Sequence, residues 1–285
     1  MTGVLIFGAT GQLGQALVRQ SPQAQPLSRA DADLTKPEDC ANAILVHRPT
    51  AIINAAAYTA VDQAEEDETT AHLINATAPG VMARAAADLG IPFVHVSTDY
   101  VFNGSGQSPW TPEDQPDPLG AYGRTKRAGE IAVLEAGGCP VILRTSWVFS
   151  ADGMNFVQTI LRLSAERDLL PIVADQIGGP TPASALATAC LTIAETLRTA
   201  PEKAGIYHYS GAPDVSWAEY ARAIVSRAKR QTRIQDITTT QYPTPAKRPL
   251  NSRLSCDSTT AAFGLDRPNW CKILDEIIPA MEVQR

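Results

Sequence analysis

Short apolar runs alternate with helical patterns along the first half of the chain. The run Val4-Leu-Ile-Phe7 contains no polar residue, which is typical of a strand buried on both faces of a sheet. The predicted strands are 4–7, 25–28, 51–54, 92–97 and 141–145, and the helices predicted between them are 12–19, 37–47, 71–89 and 122–135. Because each parallel crossover needs a connecting segment on one face, this order predicts an α/β fold with a doubly wound parallel sheet of the Rossmann type.

The alternation of apolar runs and helical patterns becomes less regular in the second half of the chain, after Thr145. Residues 1–146 are therefore predicted to form the Rossmann-like, nucleotide-binding domain. Residues 147–285 are predicted to form mainly a smaller C-terminal lobe that binds substrate, with part of the chain returning to the first domain. Ligands of open parallel sheets bind beyond the carboxyl ends of the strands, so we expect the binding residues in the loops that follow the strands.

A glycine-rich turn follows the first predicted strand and opens the first helix. Its sequence is Gly8-Ala-Thr-Gly11-Gln-Leu-Gly14. Glycine lets the backbone turn tightly, lets a pyrophosphate approach the amide groups and lets the helix pack closely on the sheet, while the helix N-terminus favours negative charge. The spacing differs from the usual Gly-x-Gly-x-x-Gly fingerprint. A dinucleotide site is the favoured interpretation, and a purely structural turn is the alternative.

The loop after the second predicted strand bears on which nucleotide binds. An acidic residue at this place holds the ribose 2′-hydroxyl of NAD, whereas an arginine accommodates the 2′-phosphate of NADP. Ser28 and Arg29 occupy the strand end, and Asp31 and Asp33 follow closely. The arginine favours NADPH, with NADH as the alternative, and Asp33 is a candidate to face the adenine. The other interpretation of Arg29 is a solvated surface side chain.

A tyrosine and a lysine lie four residues apart on the last helix predicted in this half. At that spacing Tyr122 and Lys126 share one helix face. A phenol has a pKa near about 10 and a nearby ammonium favours its ionised form, so we expect Lys126 to lower the pKa of Tyr122. Tyr-x-x-x-Lys by itself also fits an exposed amphipathic helix. The glycine turn upstream favours an acid/base pair instead.

The composition is that of an ordinary globular protein and argues against several classes. The chain has 285 residues, of which 44% are hydrophobic and 19% charged, enough to bury a large core. Its net charge of -6 and its scattered Lys and Arg provide no basic face, so we expect no nucleic acid partner. No apolar run reaches the length of a membrane span, and the apolar start is too short for a signal-peptide core. We therefore expect a cytoplasmic enzyme without a membrane partner.

The cysteines, histidines and serines indicate no disulfide framework, metal site or hydrolase site. The 5 cysteines are an odd number, lie far apart and never form Cys-x-x-Cys, so we expect reduced thiols in the core. None of the 4 histidines belongs to a His-Glu-x-x-His pattern, which argues against zinc. No Gly-x-Ser-x-Gly elbow is present, so serine hydrolysis lacks support.

Several further motifs follow the glycine turn in a fixed order along the chain. The turn itself, Ser97-Thr-Asp-Tyr-Val-Phe102 and Tyr122-Gly-Arg-Thr-Lys126 together resemble the extended short-chain dehydrogenase/reductases. Four more stretches, at 54–62, 144–149, 175–181 and 242–254, narrow the resemblance. The complete set resembles the dTDP-4-dehydrorhamnose reductase family from about residue 4 to residue 254.

The resemblance implies an activity, a cofactor and a substrate. The activity is NADPH-dependent reduction of dTDP-4-dehydro-beta-L-rhamnose to dTDP-L-rhamnose, the last step of dTDP-rhamnose biosynthesis. Hydride would pass to the C4 keto carbon, and Tyr122 would supply a proton to the oxygen. Thr98 would donate a hydrogen bond to the same oxygen, and Lys126 would bind the nicotinamide ribose. The partner would be a small-molecule sugar nucleotide.

Two sets of binding residues follow from the loop positions and the resemblance. The cofactor set is Gly8, Thr10, Gly11, Gln12, Leu13, Gly14, Ser28, Arg29, Asp33, Leu34, Ala55, Ala56, Ala57, Tyr122 and Lys126. The substrate set is Thr59, Val61, Thr98, Asp99, Tyr100, Tyr122, Trp147, Asn155, Pro180, Thr181, Arg248 and Asn251. Within it, Arg248 and Asn251 suit a diphosphate. Alternatives stay open: Trp147 as core filler, Pro180 as turn residue and Arg248 in a solvated loop.

Two positions depart from the family pattern. In some relatives a magnesium ion held by glutamates joins two subunits, and one glutamate lies just after the glycine turn. This chain has Gly14-Gln-Ala-Leu17 there, without a carboxylate, so we predict no such metal. Relatives commonly carry asparagine where this chain has Gly120, two residues before the tyrosine. That change leaves open how the catalytic helix is capped.

Three functions remain open at this point, together with the oligomeric state. The first is reduction of the dTDP-4-keto sugar. The second is another sugar-nucleotide reaction on the same scaffold, either a different 4-ketoreduction or an epimerisation. The third is a non-enzymatic regulatory subunit, against which the intact Thr98, Tyr122 and Lys126 argue. A monomer or a weak homodimer is expected.

Overall fold

A parallel sheet forms the centre of the molecule, which is described for residues 3–283 in a computed structural model. The strands are β1 (Val4–Phe7), β2 (Gln25–Leu27), β3 (Ala51–Asn54), β4 (Phe93–Thr98), β5 (Pro140–Thr145), β6 (Val148–Phe149), β7 (Leu169–Val173), β8 (Ile177–Gly178), β9 (Thr181–Pro182), β10 (Gly205–His208), β11 (Val215–Ser216), β12 (Arg233–Ile237) and β13 (Asn251–Ser252). Within these residues the main sheet has the order β10-β5-β4-β3-β1-β2, and all its neighbours are parallel. The predicted α/β fold class is confirmed.

Helices connect the strands and cover both faces of this sheet. They are α1 (Gln12–Gln20), α2 (Pro37–His47), α3 (Glu68–His72), α4 (Ala78–Leu89), α5 (Ala121–Glu135), α6 (Phe156–Glu166), α7 (Ala183–Leu197), α8 (Trp217–Arg227), α9 (Asp257–Phe263) and α10 (Trp270–Val283). The helix predicted at 71–89 begins earlier and is divided by a π-helical turn, Leu73–Thr77. In that turn the Asn75 amide binds the backbone of Tyr58 and the Thr125 hydroxyl, so the widened turn joins the loop after β3 to α5.

The position of β1 in the sheet explains why its residues do not alternate between apolar and polar. Val4 and Ile6 pack in the hydrophobic cluster that contains α1 and α7. Leu5 and Phe7 point to the opposite face and pack against α2 and α4. Both faces of the strand are therefore buried, and each of these side chains contributes on the order of 1.5–3 kcal/mol through burial. This burial fixes the strand at the sheet centre, with the glycine turn at its carboxyl end.

The second half of the chain contributes to this core and also builds a separate lobe. Helix α7 packs in the first cluster, and β10 adds an edge strand beside β5. In the lobe, α6, α8 and α10 enclose an aromatic cluster around Tyr220, whose ring contacts Phe149 and Trp270. Helix α8 begins with a capping box in which Ser216 and Glu219 satisfy each other's backbone amides. The division near residue 146 stays a prediction.

Candidate active site

A cavity of about 730 Å³ opens at the carboxyl ends of the parallel strands. Loops after β1, β2, β3, β4 and β5 line it, and residues of the second lobe face them. Its volume lies within the range of roughly 300–1,000 Å³ that is usual for small-molecule sites. The loops after five of the parallel strands therefore meet at one cavity, and the expectation that they carry the binding residues stays a prediction.

The glycine turn shapes one wall of the cavity through the backbone. Gly8 has a φ of 81°, and a Cβ there would lie 2.7 Å from the Ala56 amide nitrogen. A Cβ on Gly14 would lie 2.0 Å from the Gly8 carbonyl oxygen, so α1 can start only with glycine at this point. A Cβ on Gly11, by contrast, would meet nothing closer than 3.6 Å. Gly11 also gives α1 no side-chain cap, which leaves the first amides of the helix for an anion.

These features fit a dinucleotide bound across the carboxyl ends of the strands. The exposed helix start suits a pyrophosphate, and the space at Gly11 lets it approach the backbone. Farther along the cavity lie Arg29, Asp33 and Leu34 at the end of β2. The Arg29 side chain is 76% exposed, with its Nε 3.4 Å from Asp33 Oδ2. An exposed pair of this kind is weak, so the guanidinium is available to a phosphate.

Helix α5 presents the tyrosine and the lysine to the cavity. Gly120 precedes the helix and offers no side-chain cap, but Glu65 Oε1 accepts a hydrogen bond of 2.8 Å from the Ala121 amide. A Cβ at position 120 would lie 2.4 Å from that carboxylate oxygen. Glycine at 120 therefore makes room for a cap from a distant part of the chain, which answers the capping question raised by the sequence.

Three hydroxyl and amine groups meet at the cavity: those of Thr98, Tyr122 and Lys126. Thr98 ends β4, and its hydroxyl donates to Asp99 Oδ1 at 3.2 Å. The rings of Tyr100 and Tyr122 pack edge to face with centroids 5.5 Å apart. Lys126 is buried, and its Nζ donates to the Val96 carbonyl at 2.8 Å. The three groups are thus held by the end of one strand and one face of one helix.

The electrostatics at Tyr122 differ from the expectation drawn from the sequence. Burial raises the pKa of Tyr122 to about 12, and a hydrogen bond with Thr98 opposes the rise. Burial also lowers the pKa of Lys126 to about 8, against the charge of Glu130. The expected lowering of the tyrosine pKa by Lys126 is therefore wrong for this structure, because desolvation of the phenol dominates. A phenol that stays protonated is suited to donate a proton.

Asp99 is a buried acid in the same wall. Burial raises its pKa to about 7, while hydrogen bonds with Ser252 and Thr98 oppose the rise. Its Oδ2 has no hydrogen-bond partner among the described residues. Asp99 also lines the cavity, so the wall contains a buried carboxyl group with one unpaired oxygen among the described residues.

Comparison with known proteins identifies the family. The family model described as "RmlD substrate binding domain" matches residues 1–283. The chain is 42% identical to a dTDP-4-dehydrorhamnose reductase of Sinorhizobium fredii over 276 residues, 93% of each chain. A solved dTDP-4-dehydrorhamnose reductase from Clostridium acetobutylicum has a TM-score of 0.92 at 34% identity, covering 98% of this chain and 99% of that one. The chain belongs to the dTDP-4-dehydrorhamnose reductase family.

A second solved member of the family bears on the cofactor. The dTDP-4-dehydrorhamnose reductase of Bacillus anthracis, solved in complex with NADP, has a TM-score of 0.90 at 33% identity and covers all of both chains. That complex agrees with the features of the present cavity, which offers an exposed helix start and an exposed arginine.

Most residues of the predicted cofactor set line the cavity. They are Gly8, Thr10, Gly11, Gln12, Leu13, Arg29, Asp33, Leu34, Ala55, Ala56, Ala57, Tyr122 and Lys126. Gly14 lies behind the turn, against the Gly8 carbonyl. Ser28 lies outside the lining, and its hydroxyl donates to Asp31 Oδ2 at 2.7 Å. These two residues shape the loops, and a direct contact with the cofactor stays a prediction.

The predicted substrate set divides into two groups. The residues that line the cavity are Thr59, Val61, Thr98, Asp99, Tyr100, Tyr122 and Trp147. The other five, Asn155, Pro180, Thr181, Arg248 and Asn251, lie outside the lining, and their roles as ligands stay predictions.

For three of these five residues, side-chain contacts show what the residue does in the structure. Asn155 Nδ2 donates to Gln12 Oε1 at 3.0 Å, and its Oδ1 caps α6. Arg248 pairs with Asp62 at 2.7 Å. Asn251 is buried, and its Nδ2 donates to the Ser108 carbonyl at 2.8 Å. Each of these side chains therefore ties its own segment to a segment far away in the sequence.

The surroundings of Trp147, which include Pro180 and Thr181, bear on its two alternative interpretations, core filler and ligand wall. The Thr181 amide donates to the Trp147 carbonyl at 3.2 Å, and both Pro180 and Thr181 are buried. Trp147 has a positive φ of 48°, and its ring stacks on Trp217 with centroids 3.6 Å apart. Both tryptophans line the cavity. Trp147 therefore lines the cavity beside Trp217 from the start of α8, and its role as a ligand contact stays a prediction.

The sequence interpretation missed several residues of the lining. They are Gln15, Ala32, Ile74, Val96, Ser97, Thr145, Ser146, Val148, Gly153, Met154, Leu186 and Trp217. Thr145 ends β5 and Ser146 follows it, so the strand-end rule could have found both. Trp217 carries no local signal, because only the packing of the lobe brings it to Trp147.

Two further structural features bear on other functional classes. Within residues 3–283, no group of three or more His, Cys, Asp or Glu side chains is arranged to hold a metal ion. Among the helices of the described part, none is both long and apolar enough to span a bilayer.

Proposed function

We propose that the chain catalyses the NADPH-dependent reduction of dTDP-4-dehydro-beta-L-rhamnose to dTDP-L-rhamnose, the last step of dTDP-rhamnose biosynthesis. The observation that carries the proposal is the meeting of Thr98, Tyr122 and Lys126 in the cavity that begins at the glycine turn. Family membership supports the same activity, since the relatives carry the name dTDP-4-dehydrorhamnose reductase. NADH is the alternative cofactor.

Bound NADPH supplies the hydride that reduces the C4 carbonyl of the sugar. As negative charge develops on the carbonyl oxygen, Tyr122 donates its proton there, and its raised pKa keeps that proton in place until then. Thr98 turns its hydroxyl from Asp99 to the same oxygen. Lys126 would bind the nicotinamide ribose. A positioned acid contributes about 10² to 10⁴ in rate, and the donors aimed at the developing charge contribute further.

The substrate is proposed to lie between the loop after β3 and the tryptophan wall. Thr59, Val61, Asp99, Tyr100 and Trp147 all line the cavity. Asp99 Oδ2 has no partner among the described residues, which suits a sugar hydroxyl.

The diphosphate needs a cation on the substrate side of the cavity. Arg248 is the proposed partner, and it would exchange its pairing with Asp62 for the phosphates. Asn251 belongs to the same proposed diphosphate subsite, whereas Asn155, Pro180 and Thr181 are proposed to contact the sugar and the thymidine; all four lie outside the cavity lining.

Localisation and assembly belong to the proposal as well. The enzyme is proposed to act in the cytoplasm, where its cysteines stay free thiols, as they are in the structure. It is proposed to act on its small-molecule substrate without nucleic acid or membrane partners, as a monomer or weak homodimer. Light scattering after size exclusion measures the assembly, and a stable tetramer would contradict it.

The test of the function is oxidation of NADPH in the presence of dTDP-4-dehydro-beta-L-rhamnose, followed by absorbance, with the sugar product identified by mass spectrometry and NMR. Tyr122→Phe is expected to lower kcat by about 10² to 10⁴. Tyr242→Phe is the matched control, because Tyr242 is exposed and outside the cavity lining. Full activity of the Tyr122 variant would refute the assigned acid. Sugar epimerisation without net NADPH oxidation would refute the reduction itself.

A further inference from the structure

A segment of the second half of the chain, residues 150–155 between β6 and α6, lies against the first turn of α1. Asn155 Nδ2 donates to Gln12 Oε1 at 3.0 Å, and Ser150 Oγ lies 3.0 Å from the same oxygen. A Cβ on Gly153 would lie 3.5 Å from Gln12 Cγ, at ordinary van der Waals distance. The segment, called the strap below, therefore contacts the start of α1 at both of its ends and near its middle.

Contacts within the strap and one more contact with α1 fix its shape. Asn155 Nδ2 donates to the Ser150 carbonyl at 2.9 Å, and the Asp152 amide donates to Ser150 Oγ at 3.2 Å. Asp152 also pairs with Arg19 of α1 at 2.8 Å, although a pair as exposed as this one adds little stability. Gly153 has a φ of 73°, a conformation that favours glycine. The strap is therefore an ordered turn beside α1.

The strap carries an apolar side chain that is almost fully exposed. Met154 is 97% exposed, more than any other large hydrophobic residue in the described part of the chain. Both Met154 and its neighbour Gly153 line the cavity. A single exposed apolar residue is ordinary on a protein surface. Met154 differs because it lies at a ligand cavity, where a bound molecule can cover it.

The position of the strap indicates which ligand reaches Met154. Its neighbours Gly153 and Asn155 both contact Gln12, the first residue of α1. At that place Gly11 provides no side-chain cap, and the glycine turn has room for a pyrophosphate. A dinucleotide at this helix start therefore lies beside Met154. The methionine side chain is unbranched and flexible, so it can adapt to the surface of a nucleotide.

An apolar cover at this place has a physical consequence for binding. Burial of the thioether chain against the nucleotide is favourable in itself. It also excludes water from the pyrophosphate, and the attraction between its charge and the helix amides is stronger in a medium of lower dielectric constant. The first effect depends on the apolar volume at position 154, and the second depends on the strap staying close to α1.

We propose that the strap is part of the dinucleotide site and that Met154 closes over bound NADPH beside the start of α1. The proposal rests on the proposed function for the identity of the nucleotide. It assigns Met154 to binding and gives it no part in the transfer of hydride or proton.

The first test is NMR of the full chain labelled with methyl-¹³C-methionine. The chain has 4 methionines, and the Met154 signal is assigned with Met154→Leu. Addition of NADPH is expected to shift this signal, because the methyl group moves from water to the nucleotide. Met82 and Met281 are buried outside the cavity lining, so their signals are internal references that should not move. A Met154 signal that responds to dTDP but not to NADPH would overturn the proposal.

The second test is the Kd for NADPH and for NADH, measured by calorimetry. Met154→Ala is expected to raise both constants about three- to tenfold, since the cover acts on the part that the two nucleotides share. Met154→Leu keeps the apolar volume and should stay within about twofold of the unaltered protein. A Leu variant that binds as weakly as the Ala variant would refute an apolar cover, and so would unchanged binding by the Ala variant.

A matched control separates loss of the cover from loss of an exposed apolar group. Val46 of α2 is 78% exposed and outside the cavity lining, so Val46→Ala should leave both Kd values unchanged. Without nucleotide, the melting temperatures of the Met154 variants should equal that of the unaltered protein. A lower melting temperature would instead assign Met154 to the stability of the strap.

These measurements need no sugar substrate, which keeps the two proposals apart. NADPH binding with a shifted Met154 signal but no reduction of the sugar would refute the proposed function and leave the cover standing. NADPH binding with an unmoved Met154 signal would refute the cover and leave the proposed function. Absence of NADPH binding would refute both.

Discussion

The two sides of the cavity are built in different ways. On the nucleotide side, the backbone between Gly8 and Gly14 forms the wall, and residues that are neighbours in sequence are neighbours in space. On the side proposed for the substrate, Trp147 stacks on Trp217 of α8, and Arg248 pairs with Asp62. The first side is a local structure repeated in many folds, whereas the second depends on the packing of one lobe against the sheet. A substitution on one side of the cavity should therefore have different effects from a substitution on the other side.

The largest effect is expected from Gly14→Ala on the nucleotide side. The added Cβ would lie 2.0 Å from the Gly8 carbonyl oxygen, and neither backbone segment can move without displacing α1. Overpacking of this kind costs about 1–3 kcal/mol of stability or more. We expect the Kd for NADPH, measured by calorimetry, to rise at least about tenfold.

Gly11→Ala is the matched comparison for this prediction. Its Cβ would meet no protein atom closer than 3.6 Å, so folding should be unaffected. A melting temperature of Gly14→Ala as high as that of Gly11→Ala would show that close packing does not define the turn.

An intermediate effect is expected from Trp217→Ala on the substrate side. Loss of the stack removes the support of Trp147, and an aromatic pair contributes about 0.5–1.5 kcal/mol beyond the area it buries. The KM for the sugar nucleotide should rise roughly two- to tenfold, while the Kd for NADPH stays the same. Steady-state kinetics and calorimetry measure the two constants. Equal changes in both would mean that the two sides of the cavity are not independent.

The smallest effect is expected from Arg29→Ala at the end of β2. The side chain is 76% exposed, so a contact with the 2′-phosphate of NADPH is screened by solvent and is worth at most about 1 kcal/mol. The Kd for NADPH should rise by up to about fivefold, with no change for NADH, which lacks the phosphate. A similar loss for both nucleotides would instead assign Arg29 to the shape of the loop.

The contrast between the two sides of the cavity also explains which structural features could be predicted from the sequence alone. Strands β1 and β3 and helix α2 have the predicted bounds, because a run buried on both faces and a helix with proline at its start are local signals. The π-helical turn at Leu73–Thr77 was missed, since it depends on Asn75 reaching Tyr58 and Thr125.

The pKa of Tyr122 could not be predicted from the sequence for the same reason. The expectation for the pKa of Tyr122 counted the neighbour at position 126 but not the depth of the site. Burial then reversed the direction. Desolvation is a property of everything packed around a group, so spacing along one helix cannot reveal it.

The sequence by itself determined the parallel sheet, the glycine turn and the helix face that carries Tyr122 and Lys126, because each follows from periodicity or from backbone sterics within a few residues. The tertiary structure alone decided the cap from Glu65, the tryptophan wall and the buried contact between His95 and Lys126. These join residues far apart in the chain, and their energies come from desolvation and packing, which exist only once the chain has folded.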